Sequence, residues 1–298
     1  YLQVLFFTVP FGTVSMMMGM GLRGAGDSRT PLYAMIVTAL LDAALNPLLI
    51  LGLGPVPALG IAGSAAATAV SNLMGLLLMI AVIYARDLPL RLRGREFAWL
   101  FPGRATTAYI VTKGLPMGAQ MLALSSAGLV MIGLVNRQGL DAAAAYGAAL
   151  QLWNYLQMPA FAIGMAVSAM VAQAIGAGLH RRVDNVTRVG LIANLAMTSA
   201  LGVLIVGFGR PLLALFLGGD STALPIGVHI LQVCSWSFVL GSIVLIFNGT
   251  MRAYGAVMLP LIIMVLTMFP ARIGFYFAAR PWLGEEAVWW AYPASTAV

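Results

Sequence analysis

Apolar runs of about 20 residues recur along this chain with only short polar intervals between them, and that spacing limits the fold more than any motif does. Candidate spans lie near 1–22, 32–52, 61–84, 108–135, 143–178, 189–208, 225–249 and 257–279, and a ninth begins near 287. With 61% of the 298 residues hydrophobic and 8% charged, no polar surface can be built around these runs; a soluble domain carries about 25% charged residues. In lipid every backbone N–H and C=O must be satisfied within the structure, so runs of this length are expected to be helices. The fifth run is longer than a bilayer requires, and Pro159 in its middle predicts a kink.

The charges have positions as well as numbers. The 16 Lys and Arg against 9 Asp and Glu would suggest a nucleic-acid partner in a soluble protein. Here they fall between apolar runs without interleaved aromatics, which is the pattern of topology signals, so no nucleic acid is expected. If the spans alternate, loops 23–31, 85–107, 179–188 and 250–256 share one side and hold twelve Lys or Arg, counting the adjacent Lys113. The other side holds three, Arg137, Arg210 and Arg280, and Arg272 is left near a span end. The basic side is expected to face the cytoplasm.

Several function classes fall away. A single cysteine, Cys234, allows no internal disulfide, and His180 and His229 are far apart in sequence, so no metal enzyme is expected. No His, Asp or Ser residues cluster at catalytic spacing within the spans, so neither an enzyme nor a bound cofactor is expected. The chain opens inside one apolar run and stops soon after another begins, which reads as a fragment truncated at both ends.

An internal repeat organises the spans. Arg23, Gly26 and Pro31 form the pattern Arg-x-x-Gly-x-x-x-x-Pro, and Arg252, Gly255 and Pro260 repeat it 229 residues later, each copy in a basic loop between two spans. Two halves of like orientation follow, separated by the long polar interval from Ala85 to Thr107. Parallel repeats of this kind place a substrate cavity between halves.

Of the nine acidic residues only Asp42 lies well inside an apolar span. A carboxylate there costs about 3 kcal/mol on insertion scales, faces the protein interior and is a functional candidate by default. Asn46, one helical turn on, shares its face, and both side chains can offer oxygen to a cation.

At this point the residues resemble a known family, the multidrug and toxic compound extrusion (MATE) transporters. Leu22-Arg23-Gly24-Ala25-Gly26-Asp27-Ser28-Arg29-Thr30-Pro31 is similar to the loop after the family's fourth helix. Asn46 to Ile50 and Leu59 to Thr68 resemble its fifth and sixth helices, Leu115-Pro116 with Gln120 its seventh, Gln173 to Gly178 the end of its eighth, and Trp289-Trp290 the start of its twelfth.

The resemblance implies an all-α polytopic membrane protein of two pseudo-symmetric helical bundles, here lacking the first three helices and part of the last. Residues 1–95 would hold family helices four to six and the start of a linker, and 96–298 helices seven to twelve. It further implies a multi-pass, monomeric protein of the bacterial inner membrane that exports drugs or organic cations in exchange for Na⁺ or H⁺. By resemblance the coupling site, for a proton or for Na⁺, falls at Asp42 and Asn46, with Thr68 as the sixth-helix hydroxyl; the family's usual Asn and Asp stand exchanged here. Gln151 and Asn154, three apart beside Trp153, and Gln173 are candidates for lining the cavity, although interhelical hydrogen bonds explain such groups as simply. Two other readings stay open: a lipid-linked oligosaccharide flippase of the same superfamily, for which Arg272 is the main intramembrane cation, and an uncoupled channel.

Overall fold

The computed structural model describes residues 2–52, 58–96 and 103–298, with side chains from Thr8 onward. Part of the expected linker, 97–102, therefore lies outside the described residues. Among the described residues every regular element is helical, and the chain divides into two compact units, Tyr1–Pro102 and Gly103–Val298.

The first unit contains α1 (Leu2–Gly24), α2 (Arg29–Leu51) and α3 (Ile61–Ala85), with α3 packed on both of the others. Leu22, Ala34, Met79 and Ile83 form its buried cluster. The α2–α3 contact is close because α3 presents small residues to it. A Cβ on Gly63 would lie 2.3 Å from the Leu49 carbonyl oxygen, and one on Gly75 only 2.0 Å from Thr38 Oγ1. With no hydrophobic drive between helices in lipid, such contacts are where association gains its dispersion energy.

The second unit is built on α5 (Leu140–Gly176) and α8 (Ala223–Ala253), which pack on each other and on α6 (His180–Gly207). Around them lie α4 (Arg104–Asn136), α7 (Gly209–Leu217), α9 (Met258–Leu266), α10 (Gly274–Leu283) and α11 (Ala287–Ala297). A π-helical segment, Thr267–Ile273, joins α9 to α10, and one 3-10 turn, Gly284–Glu286, precedes α11. Tyr146, Trp153, Leu156, Cys234 and Trp289 belong to one core cluster, and Val167, Val171, Val183 and Ile246 to a second. The 37 residues of α5 run through Pro159 without a break, about 55 Å of helix at 1.5 Å per residue.

Seven helical segments among the described residues are long and apolar enough to cross a membrane: α2, α3, α4, α5, α6, α8 and the run Met258–Ala297. Large apolar side chains face outward from them, Leu40 at 66% and Leu122 at 71% exposure among others. In water such patches would drive association; in lipid they are the outer surface.

Two helix starts and one connection differ from those expected of the sequence. α6 begins at His180 and α4 at Arg104, so Arg181, Arg182, Arg188 and Arg104 stand in helices instead of in loops. Polarity marks where the hydrocarbon stops, whereas a helix continues into the interface, because its backbone stays hydrogen-bonded there while water solvates the charges. Between the sixth and seventh spans the chain also forms α7, nine residues long and too short to register as a span. Its Leu213 is fully buried and its Leu215 is 81% exposed. Arg272 stands seven residues before the end of the apolar run at 279, and the helix carries on past that run through α10 to Leu283.

The two copies of the repeat have one backbone. After α1 the Gly26 N–H donates to the Arg23 carbonyl and the Asp27 N–H to Leu22; after α8 the Gly255 N–H donates to Arg252 and the Ala256 N–H to Met251. Each is a Schellman cap, whose central residue must be left-handed, and Gly26 and Gly255 have φ of 95° and 75°. Pro31 and Pro260 are each the third residue of the helix that follows, where a missing N–H leaves no intrahelical bond unmade. The copies differ in what secures them. In the first, Asp27 Oδ1 accepts the N–H groups of Arg29 and Thr30 at 3.0 and 3.1 Å, capping α2. Hydrogen bonds from the Thr30 side chain and backbone hold the Asp27 carboxyl below its usual value. In the second, Ala256 replaces the aspartate, and α4 supplies the ties: Lys113 Nζ donates to the Gly255 carbonyl at 2.6 Å, and Gln120 Nε2 to the Val257 carbonyl at 3.1 Å. Arg252 in turn donates to Gln120 Oε1 at 2.8 Å.

Candidate functional site

α2 is apolar over most of its length, and Asp42 interrupts it near the middle. One turn on, Asn46 Nδ2 donates both to the Asp42 carbonyl, at 3.0 Å, and to Asp42 Oδ2, at 3.1 Å. The other carboxylate oxygen, Oδ1, is buried and has no hydrogen-bond partner among the described residues. Half of the carboxylate is thus engaged and half is open. An acceptor in that state keeps its desolvation cost until a donor or a cation meets it.

The register of α2 against α3 identifies what stands opposite. Thr38 meets Gly75 and Leu49 meets Gly63. Asp42 lies one turn after Thr38 and Ser71 one turn before Gly75, so Ser71 comes level with Asp42. Its hydroxyl oxygen is also buried without a partner among the described residues. Sequence reasoning missed Ser71, although Gly63, Ala67, Ser71 and Gly75 form a stripe of small residues at i, i+4 spacing that marks the contacting ridge. Thr68, the hydroxyl the resemblance pointed to, is half-buried on α3 outside that stripe, and no hydrogen bond joins it to Asp42 or Asn46.

The neutral polar candidates are not gathered at one place. Gln151 and Asn154 are exposed on α5 while Trp153 between them is buried, its Nε1–H donating to Ser235 Oγ at 3.1 Å. Gln151 Nε2 donates to the Tyr155 hydroxyl at 3.3 Å, and Gln173 is exposed near the end of the same helix. Arg23 and Gly26, with Arg252 and Gly255, belong to the helix caps already described.

These features define a class: a helical multi-pass membrane protein with an internal repeat and a polar site inside a membrane-spanning helix. The family described as MatE matches residues 1–48 and 116–277, and the chain belongs to that family of transporters. It is 35% identical, over its whole length, to "Probable multidrug resistance protein YoeA" of Bacillus subtilis and covers 65% of that protein. To the "FAD transporter" of Shewanella oneidensis it is 29% identical, over 93% of this chain and 61% of that one. A crystal structure of MATE in the bent conformation superposes with a TM-score of 0.86 at 21% identity, over 99% of this chain and 64% of that chain. The chain thus spans a little under two thirds of the length of the relatives it matches.

Proposed function

We propose that the full-length protein is a secondary antiporter that exports drugs or organic cations in exchange for Na⁺ or H⁺, with Asp42 as the coupling group. The open Oδ1 of Asp42, buried in an apolar helix beside an engaged Oδ2, is the observation that carries this reading. Asn46 holds the carboxylate in one rotamer and keeps its own amide oxygen available; Ser71, level with Asp42, adds a hydroxyl. Three oxygens of this kind suit a hard cation, and the carboxylate alone suits a proton. Binding of the ion and of the solute need only favour different access states for each to drive the other.

In this reading loops 23–31, 85–107, 179–188 and 250–256 face the cytoplasm of a bacterial inner membrane, following the Lys and Arg bias. Residues 1–95 and 96–298 belong to different bundles of one monomer. Gln151, Asn154 and Gln173 offer hydrogen bonds to the solute, and no resident cofactor is required. The relatives' names mention both multidrug resistance and FAD, so the solute is set by side chains and not by the fold.

The test is transport by the full-length protein in proteoliposomes under imposed Na⁺ or pH gradients. Gradient-driven solute movement that is lost in Asp42→Asn, with membrane insertion retained, is the expected result. Unchanged movement in that variant rejects the assignment, and downhill leakage without coupling would favour a channel.

A further inference from the structure

Arg272 lies about 20 Å of helix from one end of its run and about 16 Å from the other. The ion pairs among the described residues, Asp87 with Arg91 and Arg93 and His229 with Glu286, leave it without a carboxylate. A guanidinium cannot shed its proton, so its charge within this apolar run has to be met by other groups.

Two are present, both from α11. Arg272 Nε donates to Ser295 Oγ at 2.9 Å, and the guanidinium carbon stands 4.5 Å from the centre of the Tyr292 ring. These partners are themselves fixed. Ser295 Oγ donates to the Tyr292 carbonyl at 2.9 Å, and the Tyr292 hydroxyl is bonded to that of Tyr146. One edge and one face of the guanidinium are therefore occupied, while the Nη1 and Nη2 edge has no hydrogen-bond partner among the described residues. The side chain projects from the π-helical segment Thr267–Ile273, a wide turn of a kind that is rare and concentrated at functional sites. A purely structural tie between the π-helical segment and α11 would not need a permanent charge, whereas two parallel N–H groups held in a fixed plane match the two oxygens of a carboxylate or phosphate.

We propose that the free edge of Arg272, oriented by Ser295 and Tyr292, is a subsite for the oxyanion of a carboxylate or phosphate, supplied by the transported solute or by a lipid headgroup. The solute arm rests on the transport reading above and narrows it to drugs that carry a carboxylate or phosphate, zwitterions included, because a fixed positive charge disfavours a bare lipophilic cation.

The probes are rhodamine B, which has a free carboxylate, and its ethyl ester, which differs in that group. Binding to the full-length protein in dodecyl maltoside micelles, which carry no phosphate, is read by fluorescence anisotropy, with and without added phosphatidylglycerol. Arg272→Met is expected to weaken rhodamine B binding by roughly 10-fold or more and to leave the ester within about twofold. Arg272→Lys, which keeps the charge and loses the fork, and Ser295→Ala, which loses the orientation, should fall between. Phosphatidylglycerol that suppresses rhodamine B binding to the wild type, but not the residual binding to Arg272→Met, assigns the subsite to lipid; absence of that competition assigns it to the solute. Equal losses for acid and ester in Arg272→Met, or no loss for either with phosphatidylglycerol also without effect, overturn the proposal. Because binding needs no gradient, a protein that discriminates acid from ester yet moves neither dye under Na⁺ or pH gradients keeps the subsite and loses the transport reading.

Discussion

Asp42 in the first unit and Arg272 in the second are both charges placed in apolar helices, and they are accommodated in different ways. Asp42 is short, finds its partner one turn along its own helix, and leaves Oδ1 buried and open. Arg272 is long and is held by another helix, through Ser295 and the face of Tyr292. The difference follows from chemistry. A carboxylate can be neutralised in place by a proton or an ion, so an open oxygen is tolerable and usable. A guanidinium keeps its charge, so it needs a polar and aromatic setting made in advance. A site that exchanges its ligand is therefore expected at the acid, and a site that holds an anion by fixed geometry at the arginine.

The comparison breaks most readily at Asp42. In proteoliposomes of the full-length protein, Asp42→Asn should lower gradient-driven solute movement by on the order of 100-fold, the upper range of coupling between two ligands. A variant that still responds to the imposed gradient would leave the two charges without functional contrast.

The packing that seats Asp42 can be disturbed without touching the acid. Gly75→Leu puts a side chain where Thr38 Oγ1 already lies, and should cost about 1–3 kcal/mol, read as a lowered melting temperature of the purified protein. Gly241→Leu on α8, where a Cβ meets nothing within 4 Å, is the matched control and should cost less. Equal behaviour would mean that the small-residue stripe does not set the α2–α3 contact.

Ser71→Ala offers a finer measurement. Loss of one hydroxyl donor or ligand should raise the Na⁺ or H⁺ concentration for half-maximal transport by roughly fivefold, the equivalent of about 1 kcal/mol, with the maximal rate retained. If Thr68→Ala shows that shift and Ser71→Ala does not, the register argument is wrong.

The smallest effect separates the two copies of the repeat. Asp27→Ala removes the cap of α2 and should cost about 1 kcal/mol or less, whereas Ala256, its counterpart, has no cap to lose. Because the folded Asp27 carboxyl is held below its ordinary value of 3.8, its contribution is present above that pH and fades as pH falls through the lower folded value. Wild type and variant should therefore differ in melting temperature near neutral pH and converge in acid.

Much of this was legible in the sequence, for identifiable reasons. The length and apolarity of the runs forced helices, because nothing else satisfies a backbone in lipid. The repeat could be read because Gly26 and Gly255 fill left-handed positions that few other residues tolerate. Asp42 stood out because a lone acid among apolar residues is costly. Helix ends were read less well: Arg181, Arg182 and Arg188 look like loop residues until α6 is seen to begin at His180.

The sequence by itself therefore determined the class of fold, the repeat and the one acid to watch, since each follows from the local chemistry of solvent, backbone angle or charge. Tertiary structure alone decided which side chains meet. It put Ser71 rather than Thr68 level with Asp42, because a register between α2 and α3 is fixed by the glycines that let them touch. It also brought Ser295 and Tyr292 of α11 to Arg272, across 23 residues of sequence for the serine, through a π-helical segment and a 3-10 turn that no apolar periodicity announces.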